Sequence, residues 1–392
     1  MNLNQQFDLV RQSPTVSLSD RINALKAGGR SLVGLQVGDP DFNTHPSIID
    51  AALRAMQGGL THYGPAIGTK ELRQAIAAKL QRDEGVTYDP ASEIMVTHGG
   101  IHAYYLAMQS ILNPGDDVLI PDPSWATHEN MTTMLRGNAI RVPAPAEAGF
   151  IPQFDSWLKA LTPQTKAIVL NYPSNPTGAY PTREYLGRLQ DFAKEYNLWV
   201  VSDEVYGSLY YGKRPACAAA FEGAKERTLL INSLSKSYAM TGWRVGFLAA
   251  PARVIANALK AGQNSITCVA PFIQKAAAFA LADPEIQQVT ADMRLAYARR
   301  RDLVLRLAHE LECEKVLVTP PHGAFYFFLD FRPLKMTSAE VCERLLEEAG
   351  VALVPGSAFG EYGEGFVRMT IAASDEEVEA GFRKIVAWAE KH

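Results

Sequence analysis

A short segment in the middle of the chain brings together two hydroxyls, an amine and a guanidinium. Ser233, Ser235, Lys236 and Arg244 follow the apolar run Thr228–Asn232. Serine hydroxyls and an arginine can bind an anion such as a phosphate group, and a lysine among them can act as a nucleophile once it loses its proton. A solvated loop is the alternative, but the apolar runs on both sides of the segment argue against full exposure. We therefore predict an anion-binding site with an amine nucleophile inside it.

Two further charged residues stand next to apolar runs. Asp203 follows Leu198–Val201, and a carboxylate removed from water at that point needs a cationic or hydrogen-bonding partner. A cap on the next helix is the alternative role for this aspartate. Arg368 lies inside the apolar segment Phe366–Ile371, where a buried guanidinium needs an anion, either a ligand or an internal carboxylate. Both residues are candidates for contact with a charged ligand.

The elements that must position these residues are short apolar runs rich in Val, Ile and Leu, which alternate with amphipathic stretches. This alternation predicts parallel strands joined by helices, hence an α/β fold with an open, mostly parallel sheet covered on both faces. Ligands bind such sheets beyond the carboxyl ends of the strands, where Asp203 and Lys236 lie in the sequence. The predicted strands are Glu93–Thr97, Asp117–Ile120, Lys166–Asn171, Leu198–Asp203, Thr228–Asn232 and Val245–Ala249, and the clearest helices are Ile101–Leu112 and Thr182–Tyr196.

The pattern changes after about Asp283, which indicates a second, smaller α+β domain. The helix of that domain is predicted at Ile286–Leu311 and its strands at Ala324–Phe328, Val351–Leu353 and Phe366–Ile371. The first residues of the chain are polar and contain Pro14, Gly28 and Gly29, so we expect them to pack on the smaller domain or on a partner subunit. The predicted division is an amino-terminal arm with part of the small domain (1–44), a large cofactor-binding domain (45–285) and a small carboxyl-terminal domain (286–392).

Composition and charge limit the classes of partner. The chain has 38 Lys and Arg against 42 Asp and Glu, a net charge of −4, and no basic block that could bind nucleic acid. No segment approaches the ~18 uninterrupted apolar residues of a membrane-spanning helix, and the first residues lack the apolar core of a signal peptide. The scattered histidines and cysteines show no metal-ligand spacing. We therefore expect a cytoplasmic protein without nucleic-acid, membrane or metal partners.

Four segments resemble the aspartate aminotransferase family, class I/II aminotransferases that bind pyridoxal 5'-phosphate and have the type I fold. The resemblance covers nearly the whole chain, from Val37–Phe42 to Val367–Met369. Any one segment alone would be a weak signal, but the combination in this order and spacing is highly specific. The four segments are Asn175-Pro176-Thr177-Gly178, Asp203-Glu204-Val205-Tyr206, Ser233-Leu234-Ser235-Lys236 and Arg244.

The resemblance implies a role for each matching residue near the cofactor ring. Lys236 would form a Schiff base with the cofactor aldehyde and later move protons as the general acid and base. Asp203 would pair with the protonated pyridine nitrogen, which keeps the ring an electron sink. Asn175 and Tyr206 would hydrogen-bond the phenolate oxygen of the cofactor, and Trp125 matches the aromatic residue that stacks on the ring.

Other matching residues concern the cofactor phosphate. The resemblance implies that this group is held by the side chains of Ser233, Ser235 and Arg244 and by the amides of Gly99, Gly100 and Ile101. The three amides follow a predicted strand and open a predicted helix, whose amino terminus carries free N–H groups and a positive dipole end. Tyr63 matches a tyrosine that reaches the phosphate of the neighbouring subunit. The resemblance therefore implies a homodimer with shared active sites.

The last matches concern the substrates, which would be an L-amino acid and a 2-oxo acid. Arg368 matches the arginine that holds the substrate α-carboxylate as a bidentate pair, with Gly38 and Asn175 assisting it. Bacterial aspartate aminotransferases similar to this chain often have a lysine where this chain has Ile101. An apolar side chain cannot pair with the distal carboxylate of aspartate. The alternative partners for that carboxylate are His98, His102 and a mobile arginine from elsewhere in the protein. We therefore expect an amino donor other than aspartate, with a neutral, aromatic or specialised side chain.

Two alternatives to an aminotransferase stay open at this point. The same fold and cofactor residues serve enzymes of β-elimination, cyclopropane formation, decarboxylation and oxygen-dependent oxidation, so a lyase, cyclase, decarboxylase or oxidase is the first alternative. A non-catalytic regulator that binds pyridoxal phosphate is the more distant one, because Lys236, Asp203 and Arg368 are all present. We predict an aminotransferase that moves an amino group between the two substrates.

Overall fold

The structure, a computed structural model of the 392-residue chain, describes residues 3–10, 12, 22, 24–25 and 27–392. Pro14 lies outside these residues. The strands are β1 (Val33–Gly34), β2 (Ile94–Thr97), β3 (Asp117–Asp122), β4 (Asn138–Pro143), β5 (Thr165–Asn171), β6 (Trp199–Asp203), β7 (Thr228–Ser233), β8 (Gly246–Ala249), β9 (Tyr326–Asp330), β10 (Val351–Ala352), β11 (Val354–Pro355) and β12 (Phe366–Thr370). The helices are α1 (Pro46–Gln57), α2 (Lys70–Glu84), α3 (Gly99–Ile111), α4 (Ala126–Met134), α5 (Phe154–Ala160), α6 (Arg183–Glu195), α7 (Leu234–Ser237), α8 (Ala252–Gln263), α9 (Pro271–Ala282), α10 (Pro284–Leu311), α11 (Ser338–Arg344) and α12 (Asp375–Ala389).

Within the described part of the chain, seven strands form the central sheet, in the order β2-β8-β7-β6-β5-β3-β4. Neighbouring strands from β7 to β4 are parallel, and β8 is antiparallel to both β2 and β7. Strands β2, β3 and β8 are buried along their whole length, as expected for a sheet with helices on both faces. The predicted α/β fold with an open, mostly parallel sheet is confirmed.

The predicted strands of this sheet agree with the observed ones to within two residues at each end, with two differences. Strand β4 is not predicted, because it is an edge strand with mostly half-exposed residues and a polar start, so it lacks a continuous apolar run. The alternation of apolar runs and helices predicts Val245–Ala249 as parallel, but β8 is antiparallel. Its connection to β7 contains the four-residue helix α7 and a three-residue 3-10 helix at Thr241–Trp243, which are too short to cross the sheet and return.

Helices cover both faces of the central sheet. On one face α3 and α8 pack through buried residues that include Leu106 and Ala258. On the other face α6 packs through Leu186 and Leu189, a three-residue spacing that places both on one side of the helix. Helix α9 packs against α1 and α2 beside the sheet. None of the described helices is both long and apolar enough to cross a membrane.

The carboxyl-terminal part of the chain has its own small sheet, and its core also includes Tyr206, Leu209 and Tyr211 from the preceding part. Its strands pair antiparallel in the order β11-β12-β9, and α10 packs against α12. Tyr297, Phe327 and Phe382 are among the fully buried side chains of this core. Strand β1 pairs in parallel with β10 through Val33 and Val351, so the segment before α1 joins this part of the molecule. The domain boundaries at residues 44 and 285 stay a prediction.

Three strands of the central sheet end side by side at one edge. Asn171 ends β5 and is the register partner of Asp203, which ends β6. Strand β7 ends at Ser233, and α3 begins at Gly99 after β2. Because the parallel strands end at the same edge, polar residues from distant segments meet there, as the sequence predicts.

Candidate active site

Lys236 lies on α7, directly after the end of β7, and its amine is turned towards the segment before α1. Its Nζ donates a hydrogen bond to the carbonyl oxygen of Gly38 at 2.6 Å. Burial lowers the pKa of this amine to about 8; Asp39 acts in the opposite direction, and the positive charges of Arg244 and Arg368 lower the pKa further. A larger fraction of Lys236 is therefore deprotonated near neutral pH than for an ordinary lysine, which makes the amine a usable nucleophile.

Asp203 ends β6 and is 3% exposed. One carboxylate oxygen lies 3.3 Å from Nε2 of His128, and the other accepts a hydrogen bond from the amide of Val205 at 3.3 Å. Nδ1 of the buried His128 lies 3.1 Å from Oγ of Ser124, so the imidazole can donate to Asp203 while it accepts from the serine. Among the described residues no lysine or arginine pairs with Asp203, so its carboxylate can take a cationic ligand.

The start of α3 and the segment around α7 form a cradle for an anion. Gly99 has φ +75°, and a Cβ built on it would lie 2.7 Å from the guanidinium of Arg244. The buried Ser233 accepts a hydrogen bond from the amide of Ser235 at 3.3 Å and caps α7. Arg244 donates to a main-chain carbonyl and has no carboxylate partner among the described residues. Free amides at a helix start, two hydroxyls and an unpaired guanidinium are the groups that bind phosphate.

Arg368 lies on β12 and is 2% exposed. Its guanidinium donates to Oδ1 of Asn175 at 2.8 Å and to the carbonyl oxygen of Gln36 at 2.6 Å, while its Nε has no hydrogen-bond partner. The rings of Tyr326 and Phe359 lie 4.5 and 5.1 Å from its central carbon. No carboxylate of the described chain pairs with this buried cation. The internal ion pair is therefore absent from that part of the chain, and the guanidinium is arranged to receive an anionic ligand.

Asn175 and Tyr206 connect these groups. The amide N–H of Asn175 donates to Oδ1 of Asn171 at 3.0 Å, and Nδ2 of Asn171 donates to the carbonyl oxygen of Asp203 at 3.4 Å. The hydroxyl of Tyr206 lies 2.8 Å from the hydroxyl of Tyr326 in a buried environment. Segments that are far apart in the sequence are thus joined into one hydrogen-bonded site.

A cavity of about 460 Å³ unites most of the predicted residues. The predicted residues that line it are Gly38, Gly100, Ile101, Trp125, Asn175, Asp203, Tyr206, Ser233, Ser235, Lys236, Arg244 and Arg368. Gly99 adjoins the cavity through its contact with Arg244. Tyr63 does not line the cavity of its own chain, and its side chain is 88% exposed.

The sequence did not indicate several residues of the site. Tyr326 and Asp39 line the cavity, His128 contacts Asp203, and Gln36 binds Arg368 through its carbonyl. His128 lies one helical turn after Trp125, but a lone histidine on a helix is indistinguishable from a core residue. Tyr326 belongs to an apolar strand, and apart from its hydroxyl nothing in the sequence distinguishes it from a core residue.

Comparison with known proteins identifies the family to which this site belongs. Residues 30–385 match the family described as aminotransferase class I and II. The chain is 40% identical over 380 residues to an aspartate aminotransferase of Pyrococcus abyssi, a match that covers 97% of this chain and 96% of the relative. It is 38% identical over 380 residues to aromatic-amino-acid aminotransferase 2 of Thermococcus litoralis, with the same coverage.

Solved structures agree with this match. The structure of aspartate aminotransferase from Thermus thermophilus with maleate superposes with a TM-score of 0.94 and 36% identity, and the match covers 99% of both chains. The predicted type I fold, the enzyme class and the pyridoxal phosphate cofactor are confirmed. The chain belongs to the aminotransferase class I and II family and is a pyridoxal-phosphate-dependent aminotransferase.

Proposed function

We propose that Lys236 carries the cofactor and that the cavity around it moves an amino group between an L-amino acid and a 2-oxo acid. The observation that carries this proposal is the position of a buried amine, with its pKa lowered to about 8, between two unpaired guanidinium groups. One of these, Arg244, belongs to the anion cradle at Gly99. The other, Arg368, is buried and has no anion partner among the described residues. A phosphate and a substrate carboxylate supply the two missing negative charges.

The residues of the cavity fit pyridoxal 5'-phosphate chemically. The amides at Gly99 and Gly100 with the side chains of Ser233, Ser235 and Arg244 would hold the phosphate. Asp203 would accept a hydrogen bond from the protonated ring nitrogen, and His128 holds that carboxylate in place. Tyr206 and Asn175 would bind the phenolic oxygen, and Trp125 would pack on the ring. The bound cofactor supplies an electron sink for the substrate α-carbon when that carbon loses its proton.

The chain itself binds the substrate and moves the proton. Arg368 would bind the α-carboxylate, with Asn175 holding the guanidinium at 2.8 Å. Carboxylate binding orients the α-carbon towards Lys236. The amine of Lys236, once free, would take the proton from the α-carbon and deliver it to the former aldehyde carbon of the cofactor, for which a pKa of about 8 is well suited. All of the relatives named above are aminotransferases, which favours transamination over elimination, cyclisation, decarboxylation or oxidation.

We also propose that the donor side chain carries no negative charge. The cations that line the cavity within the described chain are Lys236, Arg244 and Arg368, and each already has a partner in the proposal. A distal carboxylate of the substrate would find no remaining cation there. Ile101 and Val37, which also line the cavity, are 39% and 42% exposed and present apolar surface to a ligand. Apolar contact favours an aliphatic or aromatic side chain.

A homodimer with shared active sites is supported by an apolar groove beside the active-site cavity. A groove of about 580 Å³, lined by apolar residues that include Leu53, Met56 and Phe272, shares Asp39 with the active-site cavity. Exposed apolar surface next to a site favours coverage by another protein. A second copy of the chain would cover the groove and bring its own Tyr63 to the phosphate. The predicted cytoplasmic location stays a prediction.

Reduction with borohydride tests the role of Lys236. Reduction of the holoenzyme followed by peptide mass mapping should place the pyridoxyl group on Lys236, and Lys236→Ala should lose both the label and transamination. Lys275→Ala is a matched control, because Lys275 is an exposed lysine that pairs with Glu71 away from the cavity. A label on any other lysine of the wild-type protein would contradict the proposal.

A further inference from the structure

Tyr326 lies between the part of the site that is proposed to bind the cofactor and the part that is proposed to bind the substrate carboxylate. Its hydroxyl is 2.8 Å from the hydroxyl of Tyr206, which faces the proposed cofactor position. Its ring lies under the guanidinium of Arg368, with 4.5 Å between the central carbon and the ring centroid. The side chain is fully buried at the start of β9 and lines the cavity. One residue therefore contacts both the proposed carboxylate anchor and a proposed ligand of the cofactor.

The backbone around Gly38 fixes the position of the Tyr326 hydroxyl. A Cβ built on Gly38 would collide with that hydroxyl, so the glycine allows the main chain to pass directly over the phenol. The carbonyl oxygen of the same glycine accepts the hydrogen bond from Lys236. The phenol of Tyr326 is thus held at the centre of the site, between its ring contact with Arg368 and its hydroxyl contact with Tyr206.

The direction of the hydrogen bond between the two phenols follows from the proposed function. Burial raises the pKa of both tyrosines, so both hydroxyls keep their protons at neutral pH. Each hydroxyl has one proton to donate. If Tyr206 donates its proton to the phenolic oxygen of the cofactor, it cannot also donate to Tyr326. Tyr326 must then donate to Tyr206.

We infer that Tyr326 is a positioning residue that couples carboxylate binding to cofactor tuning, an inference that rests on the proposed function. Its hydroxyl donates to Tyr206 and directs the Tyr206 proton at the cofactor, while its ring holds the guanidinium of Arg368. A chain of hydrogen bonds polarises each member, so Tyr206 is a stronger donor with Tyr326 than without it. The hydroxyl of Tyr326 therefore affects the cofactor, its ring affects carboxylate binding, and the two effects can be separated.

Two variants separate these effects. Tyr326→Phe keeps the ring against Arg368 and removes the hydroxyl, so Tyr206 becomes a weaker donor. The pH midpoint of the absorbance change of the bound cofactor should then rise by about half a unit. A hydrogen bond donated to the phenolate oxygen favours the unprotonated form of the bound cofactor, so a weaker hydrogen bond makes protonation easier. KM for the amino acid should stay within about twofold of wild type. Tyr326→Leu removes the ring as well, and KM should rise about tenfold or more.

Tyr211→Phe is the matched control. Tyr211 is a buried tyrosine of the same core whose hydroxyl donates to the carbonyl oxygen of Ala324 at 2.6 Å, and it does not line the cavity. Its loss should leave the midpoint unchanged. A wild-type midpoint in Tyr326→Phe, with the borohydride label still on Lys236, overturns the inference and leaves the proposed function standing. A missing label on Lys236 in the wild-type protein overturns the proposed function itself.

Discussion

At the scale of single residues, the site is defined by positive charges that have no carboxylate partner among the described residues. Lys236, Arg244 and Arg368 line one cavity, and no carboxylate within the described residues forms an ion pair with any of them. Arg368 is buried without a carboxylate partner in the described part of the chain, which is unfavourable for folding, so the arrangement indicates binding of anions. On the proposed assignment of these charges, a second carboxylate on the donor would have no cation left to bind, which agrees with the proposed donor without a negative side chain.

We therefore predict that Ile101 determines which amino acid the enzyme prefers as amino donor. In the wild-type protein we expect kcat/KM for aspartate to lie at least about tenfold below that for the best of alanine, methionine, phenylalanine and tyrosine, about 1.4 kcal/mol. Ile101→Lys should raise kcat/KM for aspartate, because it adds a cation at the cavity wall, whereas Ile101→Val should not. Steady-state rates with 2-oxoglutarate and pyruvate as acceptors provide the measurement. Aspartate ahead of every other donor by tenfold would show that Ile101 does not decide the specificity.

At the scale of elements, strand ends and one helix start hold the reactive groups. Strands β5, β6 and β7 end at Asn171, Asp203 and Ser233, and α3 begins at Gly99 beside Arg244. The helix start supplies amides for an anion only if the chain turns sharply after β2. The positive φ of Gly99 provides that turn, and the missing side chain leaves room for the guanidinium.

Gly99→Ala should therefore weaken cofactor binding. A methyl group at this position would meet Arg244 at 2.7 Å and displace it from the phosphate cradle. We expect the dissociation constant of pyridoxal phosphate to rise about tenfold or more, measured by titration of the apoprotein. Gly85→Ala is the control, because Gly85 has φ +71° with no atom within 4 Å of the built Cβ. Both variants share the backbone strain, so equal affinities in the two would exclude the contact with Arg244 as the cause.

At the scale of the whole molecule, the apolar groove beside the active site and the exposed Tyr63 are the features on which the proposed homodimer rests. The groove and the active-site cavity share Asp39 and Thr241, so a subunit that covers one borders the other. Tyr63 lies in the loop between α1 and α2, and on its own chain it is outside the cavity. A tyrosine donated across an isologous interface would complete two sites at once.

Mixing two inactive variants tests this arrangement. Lys236→Ala and Tyr63→Ala, unfolded and refolded together, should recover about a quarter of wild-type activity, because about half of the dimers are mixed and each has one intact site of two. Each variant alone should remain inactive or strongly impaired. Tyr196→Ala, which removes another exposed tyrosine, should be active without a partner. Failure of two well-folded dimeric variants to complement one another would place Tyr63 outside the partner's site.

The sequence by itself determined the features that depend on residues close to one another along the chain. Apolar runs and helical spacing predicted β2, β3, β5, β6, β7 and β8 to within two residues, because burial between helices demands continuous apolar segments. The same runs marked Asp203, Lys236 and Arg368, since a charge beside or inside an apolar segment must have a partner. The order of the motifs then indicated the family and its cofactor.

Only the tertiary structure decided which distant groups meet. Tyr326 contacts Tyr206 across 120 residues of chain, and His128 contacts Asp203 across 75. The direction of β8 likewise depends on how the chain returns after α7, and β4 depends on pairing with β3 rather than on its own apolar content. A hydrogen bond between remote side chains leaves no local pattern of hydrophobicity. Such a hydrogen bond is determined by packing in three dimensions, because two groups in contact stabilise each other whatever their separation along the chain.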